Sequence, residues 1–95
     1  MQIKVSVIIP VFNAAEHLRQ CLDSVLHQTL REIEIICVDD GSTDGSLEIL
    51  QEYATGDMRV RLMQHPGTQI SGGSGAINKG LQAACGEYVI ILNIL

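Results

Sequence analysis

The sequence predicts an α/β fold in which a mostly parallel sheet is flanked by helices. Three observations predict it: apolar, β-branched segments alternate with segments of helical periodicity, polar turn residues separate them, and 95 residues suffice for one small domain. The predicted order is strand-helix-strand-helix-strand-helix-strand, which requires right-handed crossovers between parallel strands.

The first predicted strand is Ile3–Ile9, a nearly continuous apolar run that ends before Pro10. Such a run suits a parallel strand that is buried on both faces. Asn13 and Glu16 have the spacing of a capping box, in which each side chain bonds the other residue's free backbone N–H. Apolar residues then recur at helical spacing, which predicts a helix over residues 14–28.

The second predicted strand, Ile33–Val38, is apolar apart from Glu34. It ends in the polar run 39–42, where turn residues replace core residues. A second helix is predicted over Asp44–Ala54, and the side chains expected to cap it are Ser42, Thr43 and Asp44.

The third predicted strand is Val60–Met63, and a Gly/Ser-rich loop follows His65. Apolar residues at helical spacing predict a third helix that stops at Gly86; they are Ile77, Leu81, Ala84 and Cys85. Tyr88–Leu92 is predicted as a fourth buried strand. Together these elements predict a Rossmann-like sheet.

Composition excludes several classes of protein. Six Lys and Arg against eleven Asp and Glu leave a net charge of −5, which argues against a sequence-independent grip on nucleic acid. The three cysteines are odd in number and form no C-x-x-C pair, so neither a disulfide framework nor a zinc site is predicted. A cytoplasmic, reducing setting is expected. No apolar run approaches the length of a membrane-spanning helix.

Polar residues are expected to meet at one edge of the sheet. In open α/β sheets, ligands bind beyond the carboxyl ends of the strands, where helix N-termini offer free N–H groups. Three polar segments lie there, namely residues 10–13, residues 39–44 and Asn93. These positions predict a nucleotide or another phosphorylated ligand.

Asp39 and Asp40 are adjacent carboxylates at the end of a buried strand. Like charges side by side are costly unless they meet a cation, a base edge or backbone N–H groups. A functional pair is therefore favoured. The alternative is that one carboxylate caps the following helix while the other is solvated.

Several motifs occur in a fixed order along the chain: Ser6-Val-Ile-Ile-Pro-Val-Phe-Asn13, Glu34-Ile-Ile-Cys-Val-Asp-Asp-Gly-Ser-Thr-Asp-Gly-Ser46 and Gly86-Glu-Tyr-Val-Ile-Ile-Leu92. This series resembles the start of family 2 glycosyltransferases. These are inverting enzymes of the GT-A fold that use nucleotide-sugar donors. The resemblance implies a partial GT-A fold and transfer of a hexosyl group, from a UDP-sugar, to a saccharide or lipid-linked acceptor in polysaccharide biosynthesis.

The resemblance also implies roles for particular residues. Pro10, Val11 and Asp40 match positions that line the nucleoside pocket, and Asp39 would shape the same loop. Glu16 matches an acidic position close to the pocket, although its capping-box role is equally open. Residues 1–95 would form the N-terminal, nucleotide-sugar-binding half of the domain. The acceptor half and the catalytic base would lie outside them.

The chain departs from the family at its metal motif. The family's fourth strand leads into an acidic D-x-D that holds Mg²⁺ or Mn²⁺, whereas Asn93 stands at the first of these positions. Ile77 stands where Arg is common in the family. Lys79 remains, and two roles are open for it: contact with a diphosphate, or a solvated position on the helix. A truncated, non-catalytic nucleotide-binding or structural remnant is therefore the alternative, and its unmatched sheet edge would favour a homo-oligomer.

Other reactive side chains carry no predicted chemistry. The three histidines are dispersed and lack the spacing of metal ligands; they are His17, His27 and His65. The three cysteines lie on apolar faces and are expected to be small core residues; they are Cys21, Cys37 and Cys85.

Overall fold

The computed structural model describes residues 2–28, 31–65 and 74–94. In chain order the elements are β1 (Val5–Val11), α1 (Ala15–Leu26), β2 (Ile33–Asp39), α2 (Ser46–Gly56), β3 (Val60–Gln64), α3 (Ser74–Ala83) and β4 (Tyr88–Ile91). All the strands are parallel and lie in the order β3-β2-β1-β4. The predicted fold class is confirmed. No helix in the described ranges is long and apolar enough to cross a bilayer.

The core lies on both faces of the two central strands. Ile9 and Ile35 belong to the face that α1 and α2 cover, where Leu18 and Leu22 of α1 are fully buried. Residues one position along each strand face the other way, toward α3, and pack with Ala76. Because side chains alternate along a strand, continuous apolar runs serve both faces at once.

The strand β1 continues past Pro10 to Val11, so its predicted end at Ile9 was too early. Pairing with β4 ends at Ile8, and the Ile8 carbonyl accepts the N–H of Leu92 at 2.9 Å. Alternate residues of a central strand bond to opposite neighbours, so Pro10 faces the β4 side, beyond the end of that pairing. Its missing N–H therefore removes no bond from the ladder.

The predicted capping box is wrong. Helix α1 begins at Ala15, and no side chain caps it from the N-cap position, Ala14. Asn13 has a φ of 48° and bonds to another loop instead. Helix α2 likewise begins at Ser46, two residues later than predicted.

The fourth strand is an exposed edge rather than a buried strand. Its residues are 62%, 42%, 52% and 44% exposed, in the order Tyr88, Val89, Ile90 and Ile91. It pairs with β1 on one side and, within the described residues, with no strand on the other. Cys85, just before it, is also exposed, so the prediction of a core thiol was wrong there. Cys37 is buried as predicted.

A buried carboxylate ties the amino ends of the strands together. Glu34 is only 4% exposed, and its carboxylate accepts hydrogen bonds from Ser6 Oγ at 2.6 Å, Arg61 at 2.8 Å and the Cys85 N–H at 2.6 Å. The same Ser6 oxygen accepts the N–H of Gly86 at 2.8 Å. This network joins β1, β2, β3 and the turn before β4, at the edge opposite the predicted ligand site.

Hydrogen bonding outweighs burial at this carboxylate. Burial by itself raises the pKa of Glu34, but the bonds from Ser6, the Cys85 N–H and Arg61 together hold it below its usual value. The sequence showed only an acidic residue in an apolar strand, and that anomaly was the signal for a buried polar network.

Candidate functional site

The carboxyl ends of β1 and β2 lie side by side, as their parallel order requires. Val11 pairs with Asp39 in the strand register, and the Asp40 N–H donates to the Val11 carbonyl at 2.8 Å. Val11 is fully buried and Pro10 is partly buried. The structure thus brings together four of the residues that the sequence nominated.

Asn13 joins the loop after β1 to the loop after β2. Its carboxamide oxygen accepts the N–H of Thr43 at 2.7 Å and that of Asp44 at 3.3 Å. The Asn13 N–H in turn donates to Ser42 Oγ at 3.0 Å. The left-handed backbone of Asn13 is tolerated better by Asn than by most residues, and it turns both polar groups toward the second loop.

The loop after β2 in turn caps the N-terminus of α1. Asp44 Oδ2 accepts the N–H of Ala15 at 3.1 Å, and Ser46 Oγ accepts the N–H of Ala14 at 2.9 Å. Hydrogen bonds from Ser46 and from the Ala15 N–H hold the pKa of Asp44 below its usual value. We call this reciprocal set of bonds the loop clasp; its members are Asn13, Ala14, Ala15, Ser42, Thr43, Asp44 and Ser46.

Asp39 is directed into the protein. It is 4% exposed, and its Oδ2 accepts the N–H of Ser42 at 3.2 Å. Its Oδ1 is buried and has no hydrogen-bond partner among the described residues. Asp39 therefore bonds within its own loop. It does not cap α2, which was the alternative role that the sequence left open.

Asp40 pairs with a residue that sequence reasoning set aside. Its Oδ1 lies 2.7 Å from Nδ1 of His65, and the side chains are 13% and 18% exposed, respectively. His65 directly follows β3, and its N–H donates to the Asp39 carbonyl at 2.8 Å. The signal in the sequence was the position of His65, directly after the third strand. The register that pairs Asp39 with Gln64 brings the next residues, Asp40 and His65, together.

Two other residues that the sequence nominated, Glu16 and Lys79, lie around this edge of the sheet. Glu16 is in the first turn of α1, with 88% of its side chain exposed and its carboxylate 3.9 Å from the His17 ring. Lys79 donates to the Gln64 carbonyl, next to His65. The Gly/Ser-rich loop that was predicted after His65 falls outside the described residues.

Asn93 follows β4 and is exposed, and it lines an open depression with α1 residues that include His17 and Cys21. Divalent cations such as Mg²⁺ prefer several oxygen ligands, carboxylates above all. Within ranges 2–28, 31–65 and 74–94, no three His, Cys, Asp or Glu side chains cluster closely enough to hold an ion. The described residues therefore do not fit the metal site that the family resemblance implies.

Residues 6–93 match the sequence profile of Glycosyl transferase family 2. The chain belongs to glycosyltransferase family 2. The resemblance that the motifs indicated is thereby confirmed, and with it the assignment to glycosyltransferases.

Curated and solved relatives agree with this membership. An uncharacterized glycosyltransferase of Bacillus subtilis, EpsJ, is 45% identical over 86 residues, which cover 90% of this chain and 24% of EpsJ. Staphylococcus aureus TarS in complex with UDP superposes with a TM-score of 0.86 at 30% identity, covering 97% of this chain and 27% of TarS 1–349.

The mannosyltransferase PcManGT from Pyrobaculum calidifontis, in complex with GDP-Man and Mn²⁺, also has a TM-score of 0.86. It is 28% identical, and the match covers 99% of this chain and 28% of PcManGT. The described fold is thus that of GT-A glycosyltransferases. The family 2 chain spans about a quarter of the length of these three relatives.

Proposed function

We propose that this chain binds the nucleoside diphosphate of a UDP-sugar at the loops that follow β1 and β2. It would supply the N-terminal, donor-binding half of a glycosyltransferase domain that transfers a hexosyl group to an acceptor hydroxyl. The carrying observation is that Asp40 lies beside the end of β1, where its N–H donates to the Val11 carbonyl at 2.8 Å, while the loop clasp holds the residues that follow it through bonds such as Asn13 Oδ1 to the Thr43 N–H at 2.7 Å. The TarS complex with UDP supports the choice of nucleotide.

Each residue of the edge has a distinct part in this proposal. The side chain of Asp40 is 13% exposed, and its carboxylate accepts the imide N–H of uracil, since an ionised acceptor forms a stronger hydrogen bond than a neutral one. Pro10, which is partly buried, forms the apolar floor against which the base packs, and the fully buried Val11 positions Asp40 by accepting its N–H at 2.8 Å. Asp39 keeps the loop in shape through the Ser42 N–H. Glu16 stands at the rim.

No step in this proposal passes through a metal, because the described residues do not fit one. We also propose that the carboxylate that deprotonates the acceptor hydroxyl lies outside residues 1–95. The acceptor would be a saccharide or a lipid-linked sugar of polysaccharide biosynthesis. Three free thiols favour a reducing compartment, which points to the cytoplasm or the cytoplasmic face of a membrane.

A second candidate function is a non-catalytic member of the family that binds a nucleotide or is only structural. The observation that favours it is the neutral Asn93, which offers no carboxylate where the family has an acid. This candidate shares the fold with the first one. In its purely structural form it differs by predicting that UDP does not bind.

Calorimetric titration of the chain with UDP, with and without Mn²⁺, tests the proposal. We expect UDP to bind, and Asp40→Ala to weaken binding about tenfold or more, because a hydrogen bond to a charged group contributes about 1.5–3 kcal/mol. Glu32→Ala removes an exposed carboxylate at the opposite edge of the sheet and serves as the matched control. It should leave binding unchanged.

The outcomes separate the proposed nucleotide site from the purely structural candidate. Weaker binding of UDP by Asp40→Ala, with unchanged binding by Glu32→Ala, supports the nucleoside site. No binding of UDP in either condition favours the structural candidate and rejects the proposal. A large gain in affinity with Mn²⁺ would contradict the conclusion that the described residues do not fit a metal.

A further inference from the structure

The contact between Asp40 and His65 affects which carboxylate oxygen of Asp40 can accept a hydrogen bond from a ligand. Nδ1 of His65 lies 2.7 Å from Asp40 Oδ1. An ionised carboxylate only accepts hydrogen bonds, so Nδ1 carries the proton and donates it. One of the two Asp40 oxygens is therefore already engaged by the protein.

His65 is itself held in place. Its backbone N–H donates to the Asp39 carbonyl at 2.8 Å, which extends the pairing of β2 and β3 by one residue. The carbonyl of the preceding residue, Gln64, accepts the Lys79 ammonium. The side chain of His65 is 18% exposed, so it has little freedom to swing away from Asp40.

Nucleobases differ in the number of donors that they present to a carboxylate. The imide edge of uracil offers a single N–H between two carbonyl oxygens. The corresponding edge of guanine offers a ring N–H and an adjacent amino group, which together match both oxygens of a carboxylate. A buried donor that finds no acceptor costs binding free energy.

We propose that His65 is a specificity-determining residue that makes this site prefer uracil over guanine. By donating to Oδ1, with its ring against that oxygen, His65 makes Oδ1 the weaker and more crowded acceptor, so that Oδ2 of Asp40 receives the donor from the base. Uracil needs one acceptor at this edge, whereas guanine would have to place its second donor on the oxygen that His65 already engages, or displace His65. This inference rests on the proposed function, in which Asp40 receives the nucleobase.

The experiment measures dissociation constants for UDP and GDP by calorimetry on the whole chain. For the wild type we expect UDP to bind about tenfold or more tightly than GDP. In His65→Ala and in His65→Phe, which lacks the donor but keeps a ring, the preference should shrink about tenfold. His65→Asn keeps an N–H donor near the Nδ1 position and should retain the preference.

His27→Ala is the matched control, because His27 is an exposed histidine at the end of α1, away from Asp40. It should leave both constants unchanged, and circular dichroism establishes that each variant is folded. The use of two donor-less variants covers the case in which one of them fails to fold.

The results distinguish the two levels of inference. If the wild type binds neither nucleotide, the proposed function fails and the role of His65 falls with it. If UDP binds and the preference is the same in His65→Ala or His65→Phe, only the role of His65 is overturned. Loss of the preference in His65→Asn as well would show that an N–H donor at this position does not maintain it, which also overturns this inference.

Discussion

The carboxamide oxygen of Asn13 accepts the backbone N–H of Thr43 at 2.7 Å, so the loop after β1 holds the loop after β2. Asn13 does this from a left-handed backbone conformation with φ of 48°. Such a conformation costs a non-glycine residue of order 1 kcal/mol and persists where surrounding contacts maintain it. The strained backbone of Asn13 thus maintains the geometry of the loop that follows Asp40.

We predict that Asn13→Gly and Asn13→Ala both weaken UDP binding severalfold, because each deletes the acceptor that orders the second loop. Glycine accepts positive φ without strain, whereas alanine does not. Asn13→Ala should therefore be less stable than Asn13→Gly by about 1 kcal/mol in urea unfolding. Equal stability of the two variants would contradict the assigned backbone cost, and unchanged UDP affinity would contradict the role of the clasp.

Glu34 is predicted to be needed for stability. Glu34→Ala leaves the Ser6 hydroxyl and the Cys85 N–H without their buried acceptor, which costs about 2 kcal/mol in the free energy of unfolding. Denaturant unfolding at neutral pH measures this loss. Glu48→Ala, which removes an exposed glutamate of α2, should change stability by no more than about 0.5 kcal/mol.

The same carboxylate predicts a pH dependence. The folded-state pKa of Glu34 is lowered, so its contribution to stability is complete above the unfolded pKa of about 4.3 and is lost as pH falls through the lower, folded value. The difference in unfolding free energy between the wild type and Glu34→Gln should therefore shrink as pH falls below about 4. A difference that stays constant down to pH of about 3 would exclude this role.

Gly86 is predicted to tolerate no side chain. A Cβ atom there would lie 2.7 Å from the Ser6 backbone nitrogen and 2.8 Å from Ser6 Oγ, so Gly86→Ala must displace β1 or the turn. We expect a loss of about 1–3 kcal/mol in thermal or urea unfolding. Gly56→Ala meets no atom within 4 Å and is the matched control, with stability unchanged or slightly raised.

The three thiols should react at different rates with a disulfide reagent. Cys85 is exposed and should react first, and Cys21 is partly buried, which raises its pKa and slows it. Burial, with the nearby Cys21, raises the pKa of Cys37 to about 12, so this thiol should react only as the chain unfolds. Cys85→Ser should remove the fast phase, and fast labelling of Cys37 in the native protein would contradict the described core.

The exposed strand β4 predicts self-association of the 95-residue chain. Tyr88 and Ile90 are 62% and 52% exposed, and an edge strand presents backbone groups that a second copy of the same edge can pair. Sedimentation velocity should show a concentration-dependent dimer that Ile90→Lys abolishes. Met58→Lys alters a residue that is 97% exposed outside the strands, so it should leave the dimer intact. A monomer at all concentrations would refute the homo-oligomer.

The strands and helices were largely predictable because their signals are local. Hydrophobic periodicity placed every element, and the errors fell at ends, as at Pro10 and Asn13. The exposure of the fourth strand could not be predicted from its composition. Apolar content shows that a strand is suited to burial, whereas the exposure of Ile90 depends on which elements lie beside the strand.

The sequence by itself determined the α/β order, the family motifs and the placement of Asp39 and Asp40 at the carboxyl edge of a parallel sheet. Only the tertiary structure decided which partners those groups have. Asp40 meets His65 across 25 residues of sequence, and Glu34 meets Cys85 across 51. Bonds over such separations follow from strand register and helix placement, which the packing of the whole core sets and no local pattern contains.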